Sequence, residues 1–216
     1  MLRLAPRVHD SCLRVLCLGA HSDDIEIGCA GTLLRWMEEF DRIEVLWVVF
    51  AAEGERADEA RRSAQALLQG AAAFEMVLGD FADSRMPAEF VRAKAFVAGV
   101  RDRMKPDIVL THRLEDRHQD HRMVAELTWQ TWRDHLILEY EIPKYEGDLG
   151  QPNMFVPLVA QHRERKIAHL LEHFGTQRPK DWFTAETFDA VMRLRGIECR
   201  APSGYAEGFH VRKLTL

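Results

Sequence analysis

The sequence predicts an α/β fold, a mostly parallel sheet with helices on both faces. Three observations predict it. Four short apolar runs, Val15–Leu18, Val45–Phe50, Met76–Leu78 and Ile108–Thr111, have the length of strands. Helical patterns over Gly31–Phe40, about Asp58–Leu68 and about Glu89–Met104 separate them. The runs are apolar throughout rather than alternating, as expected of strands buried on both faces, and the strand–helix alternation is that of βαβ units.

Each element has its own reason. The first strand empties into His21-Ser22-Asp23-Asp24, and a glycine-punctuated helix start follows it. The third strand is followed by the polar stretch Asp80–Pro87 and a helix that stops before Lys105-Pro106, because proline disfavours a helical residue ahead of it. After the fourth strand comes the polar stretch Arg113–His121, with a helix expected to begin near Asp120. Leu136–Val156, rich in glycine, proline and aromatic residues, reads as a strand and then a long functional loop. Helices near Arg163–Phe174 and Ala185–Arg195 and a last strand near Val211–Leu216 complete the chain. Without repeats, low-complexity tracts or a linker, residues 1–216 are expected to form a single domain.

Bulk properties exclude several classes. A net charge of -5 argues against a nucleic-acid partner, which selects for a basic excess. No apolar run approaches the roughly 20 residues of a membrane span, and charges interrupt every apolar cluster of the first residues, so no signal peptide is expected. Cys12, Cys17, Cys29 and Cys199 form no C-x-x-C pair, which points to reduced thiols in a cytoplasmic enzyme. Gly28 and Gly31 form no G-x-G-x-x-G, so no dinucleotide is expected.

In parallel sheets ligands bind beyond the carboxyl ends of the strands. His21–Asp24, Asp80–Pro87 and Arg113–His121 are therefore expected to converge on one rim. One imidazole and two carboxylates within four residues are costly at a strand end unless a metal or substrate compensates them. With His118 and His121 they supply nitrogen and oxygen donors suited to Zn2+ or a similar divalent ion. A catalytic zinc takes three protein ligands and keeps an open position. His21, Asp24 and His121 offer such a set, leaving Asp23 to accept a proton and His118 to face the substrate. The plainer alternative makes the histidines solvated helix-start residues and the aspartates N-caps. A rival metal motif, His169-Leu-Leu-Glu172-His173, matches the H-x-x-E-H of some peptidases, yet its histidines are expected on the exposed side of an amphipathic helix. Cys29 is expected to pack under the metal loop, and Trp36, Trp129 and Trp132 to be core or subunit interface. Trp182 and Phe183 are better placed to touch a ligand.

These residues resemble the paired signature of the LmbE-like (PIG-L type) zinc deacetylases, which include the N-acetylglucosaminyl-phosphatidylinositol, mycothiol and bacillithiol pathway enzymes. The resemblance rests on His21-Ser-Asp-Asp-Ile-Glu-Ile-Gly-Cys-Ala-Gly-Thr32 with His118-Gln-Asp-His121, and extends to Asp83-Ser-Arg-Met-Pro87, Glu115-Asp-Arg-His118 and Tyr205-Ala-Glu-Gly-Phe209. It implies a Rossmann-like fold and hydrolysis of an N-acetyl group from an amino sugar of the N-acetylglucosamine type. Position by position, it implies His21, Asp24 and His121 as ligands of zinc or another divalent metal, Asp23 as general base and His118 as the oxyanion-stabilising residue. It further implies Asp120 as a carboxylate orienting a histidine, Arg117 and Arg56 as substrate-contacting, and Tyr205 as part of the substrate pocket. Ser22 and Gln119 stand where many members have proline, which changes loop stiffness but removes no ligand. The pocket wall is expected from Glu141–Pro157 and Gln177–Phe183, and self-association is implied by relatives that form trimers and hexamers. Two other readings stay open: a zinc amidase acting on another N-acyl or thiol conjugate, and a non-catalytic carbohydrate-binding relative.

Overall fold

Alternation along the first strand decides how the sheet is covered. In β1 (Cys12–His21), Leu13, Val15 and Cys17 face one apolar layer while Leu16, Leu18 and Ala20 face the other, the two-residue period of a strand. Helices α1 (Asp24–Glu39), α2 (Gly54–Leu67), α5 (Ala160–His173) and α6 (Ala185–Glu198) bury their apolar faces in the first layer. Helices α3 (Phe90–Arg101) and α4 (Gln119–Thr131) supply Val97, Val100, Val124 and Leu127 to the second. The computed structural model describes residues 8–215, so Leu216 of the expected last strand lies outside the described residues.

Among the described residues seven strands form one sheet in the order β3 (Ala73–Leu78), β2 (Arg42–Ala51), β1, β4 (Ile108–His112), β5 (Leu136–Tyr140), β7 (Tyr205–His210), β6 (Met154–Leu158). β2, β3, β4 and β5 extend β1 in parallel, with Val15 level with Val45 on one side and Ile108 on the other. After β3 the chain returns to the far side of β1. This puts a topological switch point between β1 and β4, the place where such sheets open to ligands.

The last two strands correct the sequence reading. The final strand, β7, is Tyr205–His210, and Val211–Thr215 carry no ladder. That tail is held by side chains instead: Arg212 pairs with Glu139 and Glu115, and Val211 N–H donates to Asn153. Met154–Leu158, expected as the end of a loop, forms β6, and the β6–β7 pair is antiparallel, which makes the sheet mixed. Among the described residues no helix is long and apolar enough to cross a membrane.

Helix α1 begins seven residues earlier than the pattern over Gly31–Phe40 indicates, and Cys29 breaks it with φ −150°. The break frees backbone groups that need partners. Gly31 and Thr32 N–H donate to the buried Glu207 carboxylate at 2.9 and 2.6 Å. Lys166 Nζ donates to Glu207 and to the Ile27 carbonyl, both at 2.6 Å. Gly28 is required by close approach, since a Cβ there would meet the Tyr140 ring at 2.3 Å.

Candidate metal centre

Two strand ends bring the polar segments together. β1 stops at His21, and Asp24 Oδ2 accepts the His21 N–H at 2.6 Å, closing a tight turn into α1. β4 stops at His112, and α4 starts after the loop that follows, with His118 as its N-cap. The His118 Nδ1 accepts from Asp120 N–H at 3.3 Å, so a neutral His118 ring carries its proton on Nε2.

The His21 Nδ1, His121 Nε2 and Asp24 carboxylate form a triangle. Its edges are 3.1 Å between the two nitrogens, 3.3 Å from His21 to Asp24 Oδ2, and 3.5 Å from His121 to Asp24 Oδ1. Ligands about 2.0–2.2 Å from a tetrahedral zinc are separated by about 3.3–3.6 Å; two edges lie in that range, the His21–His121 edge is slightly shorter, and the two Asp24 edges run to different oxygens of its carboxylate. Each histidine is oriented from behind. His121 Nδ1 lies 3.0 Å from Asp116 Oδ2, and His21 Nε2 lies 3.2 Å from Asp120 and 3.1 Å from Asp83. Among the described residues three groups could hold an ion: His21, His118 and His121; Asp24, His112 and His121; and His21, Asp83, His118 and Asp120; the triangle draws on the first two. His112 stacks on His121 at 3.9 Å and lies 3.1 Å from Asp24. Its Nε2, however, already accepts the Ala20 N–H at 2.9 Å. A third set of His21, Asp83, His118 and Asp120 is similarly engaged, because both Asp120 oxygens accept backbone N–H groups of Ser84 and Met86.

Burial, then the neighbouring His112, push His121 down to about 3, and its Nδ1 is turned to Asp116. Burial and His21 also lower His118. Burial works against a charged His21, but Asp24 and the other carboxylates hold it well above its ordinary value. The adjacent aspartates diverge. Burial raises Asp23 despite the Arg56 guanidinium at 2.8 Å, whereas Asp24, though equally buried, is held well below the usual range by His121, His112 and His21.

His21, Asp23, Asp24, His118, Asp120 and His121 thus stand together, with Arg56 bridging Asp23 and Asp83. Arg117 is exposed at the same loop, and its backbone N–H donates to Asp148 at 2.6 Å. Tyr205 is not brought to this rim. Its ring packs beneath Arg163 and Arg193, on α5 and α6. Asp83, Asp116, Lys144 and Asp148 went unassigned in the sequence. Asp83 and Asp116 sit within motifs already quoted, whereas nothing local marks Lys144 or Asp148.

The H-x-x-E-H helix departs from expectation. His169 is 8% exposed rather than solvated, with Nε2 2.8 Å from the Ser63 hydroxyl, which also bonds the buried Glu26. No candidate metal set among the described residues includes it. Phe183, 2% exposed, belongs to the core, as do Trp36 and Trp132, and Cys29 is buried with its thiol on the Ile25 carbonyl.

The family model described as PIG-L, GlcNAc-PI de-N-acetylase, matches residues 16–132, the stretch that holds both histidine segments. The chain is 27% identical over 173 residues to the uncharacterized deacetylase YaiS of Escherichia coli (strain K12), covering 74% of this chain and 89% of that protein. In fold it is similar to the N,N'-diacetylchitobiose deacetylase from Pyrococcus horikoshii, with a TM-score of 0.68, 19% identity, and coverage of 92% of this chain and 83% of that one. It is also similar to GalB, the 4-carboxy-2-hydroxymuconate hydratase from Pseudomonas putida KT2440, with a TM-score of 0.67, 19% identity, and coverage of 94% and 98%. One fold therefore occurs in both a deacetylase and a hydratase, so fold likeness alone does not fix the substrate.

Proposed function

As this chain belongs to the GlcNAc-PI de-N-acetylase (PIG-L) family and is a hydrolytic N-deacetylase, we propose that it removes the acetyl group of an amino sugar of the N-acetylglucosamine type, with zinc as its metal. The observation that carries this reading is the His21–Asp24–His121 triangle, sized for a tetrahedral ion, with a second carboxylate, Asp23, left out of it. His21, Asp24 and His121 would hold the ion. Zinc in such a site lowers the pKa of a water toward about 7 and polarises the amide carbonyl.

The protein's own groups do the rest. Asp23 is the base that takes the proton of the attacking water, and Arg56 fixes its carboxylate by a 2.8 Å bond. His118 presents Nε2–H toward the substrate because its Nδ1 is committed to the α4 N-terminus, and that donor stabilises the developing oxyanion. The proton gained by Asp23 passes to the departing nitrogen as the C–N bond breaks, giving acetate and the free amine. Asp116 orients the His121 ring through Nδ1 and Asp120 the His21 ring through Nε2, so that His121 Nε2 and His21 Nδ1 are the nitrogens that would face the ion. Arg117, exposed at the rim, is placed to meet substituents of the sugar.

The test is acetate release from a panel of N-acetylated amino sugars, with the protein stripped of metal and then supplied with zinc. Metal-dependent release from at least one of them is expected. No release from any would overturn the substrate class.

A further inference from the structure

The loop of residues 141–150 belongs to the stretch expected to wall the pocket, and one buried cation ties it to the histidine segment. Lys144 Nζ has a donor for each of its partners: Asp116 Oδ2 at 2.9 Å, Asp148 Oδ1 at 2.7 Å and the Ile142 carbonyl at 3.3 Å. The side chains of Lys144 and Asp148 are only 7% and 6% exposed. Asp148 in turn accepts the Arg117 N–H through Oδ2, and its carbonyl accepts from Arg113 at 2.8 Å. Asp116 spends one oxygen on the His118 N–H at 2.8 Å and the other on both His121 Nδ1 and Lys144. A single carboxylate therefore spaces the two histidines, and a lysine borne by another loop holds that carboxylate in place.

We propose that Lys144 is a positioning residue for the metal centre, acting through Asp116 on His121, so that the 141–150 loop and metal affinity are coupled. Two physical effects carry the coupling. Without the ammonium, Asp116 is a buried carboxylate short of one donor and free to turn away from His121 Nδ1, so the imidazole loses the partner that sets its tautomer and direction. The same loss leaves Asp148 without its cation, which loosens the loop at both of its anchor points on the histidine segment. The inference rests on the proposed metal reading.

The experiment measures zinc affinity by chelator competition, and the zinc-induced rise in melting temperature, for wild type, Lys144→Met, Lys144→Gln and Asp148→Asn. Lys144→Met should bind zinc at least about 5-fold more weakly, with about 10- to 100-fold, the penalty for losing the partner of a metal ligand outright, as the ceiling. Lys144→Gln, which keeps a donor without the charge, should fall between it and wild type, and it serves if the methionine variant does not fold. Asp148→Asn should change affinity by less than about threefold, because Lys144 still reaches Asp116. A purely structural lysine would lower the melting temperature of the metal-free and zinc-loaded forms equally, leaving the zinc-induced rise intact. That result, or zinc affinity of the folded lysine variants within twofold of a zinc-binding wild type, overturns the proposal. Failure of wild type to bind zinc overturns instead the metal reading beneath it.

Discussion

Two buried charged clusters touch helix α1, one at its N-terminus and one at its break, and they are built on opposite plans. Behind the helix break, Lys166 and Glu207 form a closed set: both Glu207 oxygens accept backbone N–H groups, and Lys166 bonds to Glu207 and to a backbone carbonyl. At the carboxyl edge, His21, Asp24 and His121 turn a nitrogen or oxygen donor toward one another without a hydrogen between every pair, and Asp23 stands beside them. Closed sets of buried charge serve the fold, because every group is satisfied within the chain. Imidazole nitrogens and a carboxylate that converge on one point are the donor set a divalent cation takes in exchange for the protons they otherwise share. Burial is alike in both clusters. What separates them is residue type and geometry: a lysine–glutamate pair closed by backbone groups, against imidazoles and a carboxylate that converge on one point.

This contrast can be broken by substitution. The largest expected effect is on the open cluster: Asp23→Asn should lower turnover about 10²- to 10⁴-fold while zinc affinity and melting temperature stay near wild type. Steady-state acetate release beside chelator competition checks it, and an unchanged rate would remove Asp23 from the role of base.

Next comes the closed cluster. Glu207→Gln strands the Lys166 ammonium in the interior and should cost about 3–5 kcal/mol in urea unfolding, with little change in turnover per folded, zinc-loaded molecule. The double variant Glu207→Gln with Lys166→Met should recover at least half of that loss, since no charge is then unpaired. If it recovers nothing, the pair is not a closed unit.

The smallest effect concerns His169, which sits under α1 against Ser63. Burial and the neighbouring His173 lower it to about 3, below the 6.5 of an unfolded chain. A depressed histidine binds its proton more tightly when unfolded. Its contribution is therefore complete above pH 6.5 and lost as pH falls toward 3. Between pH 6.5 and 5 the loss should be on the order of 2 kcal/mol, and His169→Gln should flatten that slope. An equally steep slope in the variant would assign the acid sensitivity elsewhere.

Much of the architecture was legible because it is written locally. Continuous apolar runs mark strands covered on both faces, and the β1–α4 portion follows from them. The antiparallel edge was not. Val211–Thr215 has a strand-like pattern, but Tyr205–His210 occupies the ladder, and Arg212 finds Glu139 through its side chain. His169 looked solvated from helix periodicity, yet α5 packs against α1 and α2 and covers that face. Tyr205 shares a motif with Glu207 and, two residues away on β7, the same strand face, and its ring packs against the arginines of α5 and α6 rather than among the histidine segments. Of the centre, the segments His21–Asp24 and Arg113–His121 could be read at strand ends, whereas Lys144 and Asp148 carry no local mark.

By itself, then, the sequence determined the parallel α/β core, the family, and which two segments carry imidazoles and carboxylates to the sheet edge. Those features depend on neighbours in the chain. Only the tertiary structure decided that the two histidine nitrogens and the Asp24 carboxylate stand within 3.1–3.5 Å of one another, and which buried charges are balanced. That depends on the crossover placing β4 beside β1 and on a loop lysine reaching Asp116, contacts between residues far apart in sequence whose partners local pattern cannot specify.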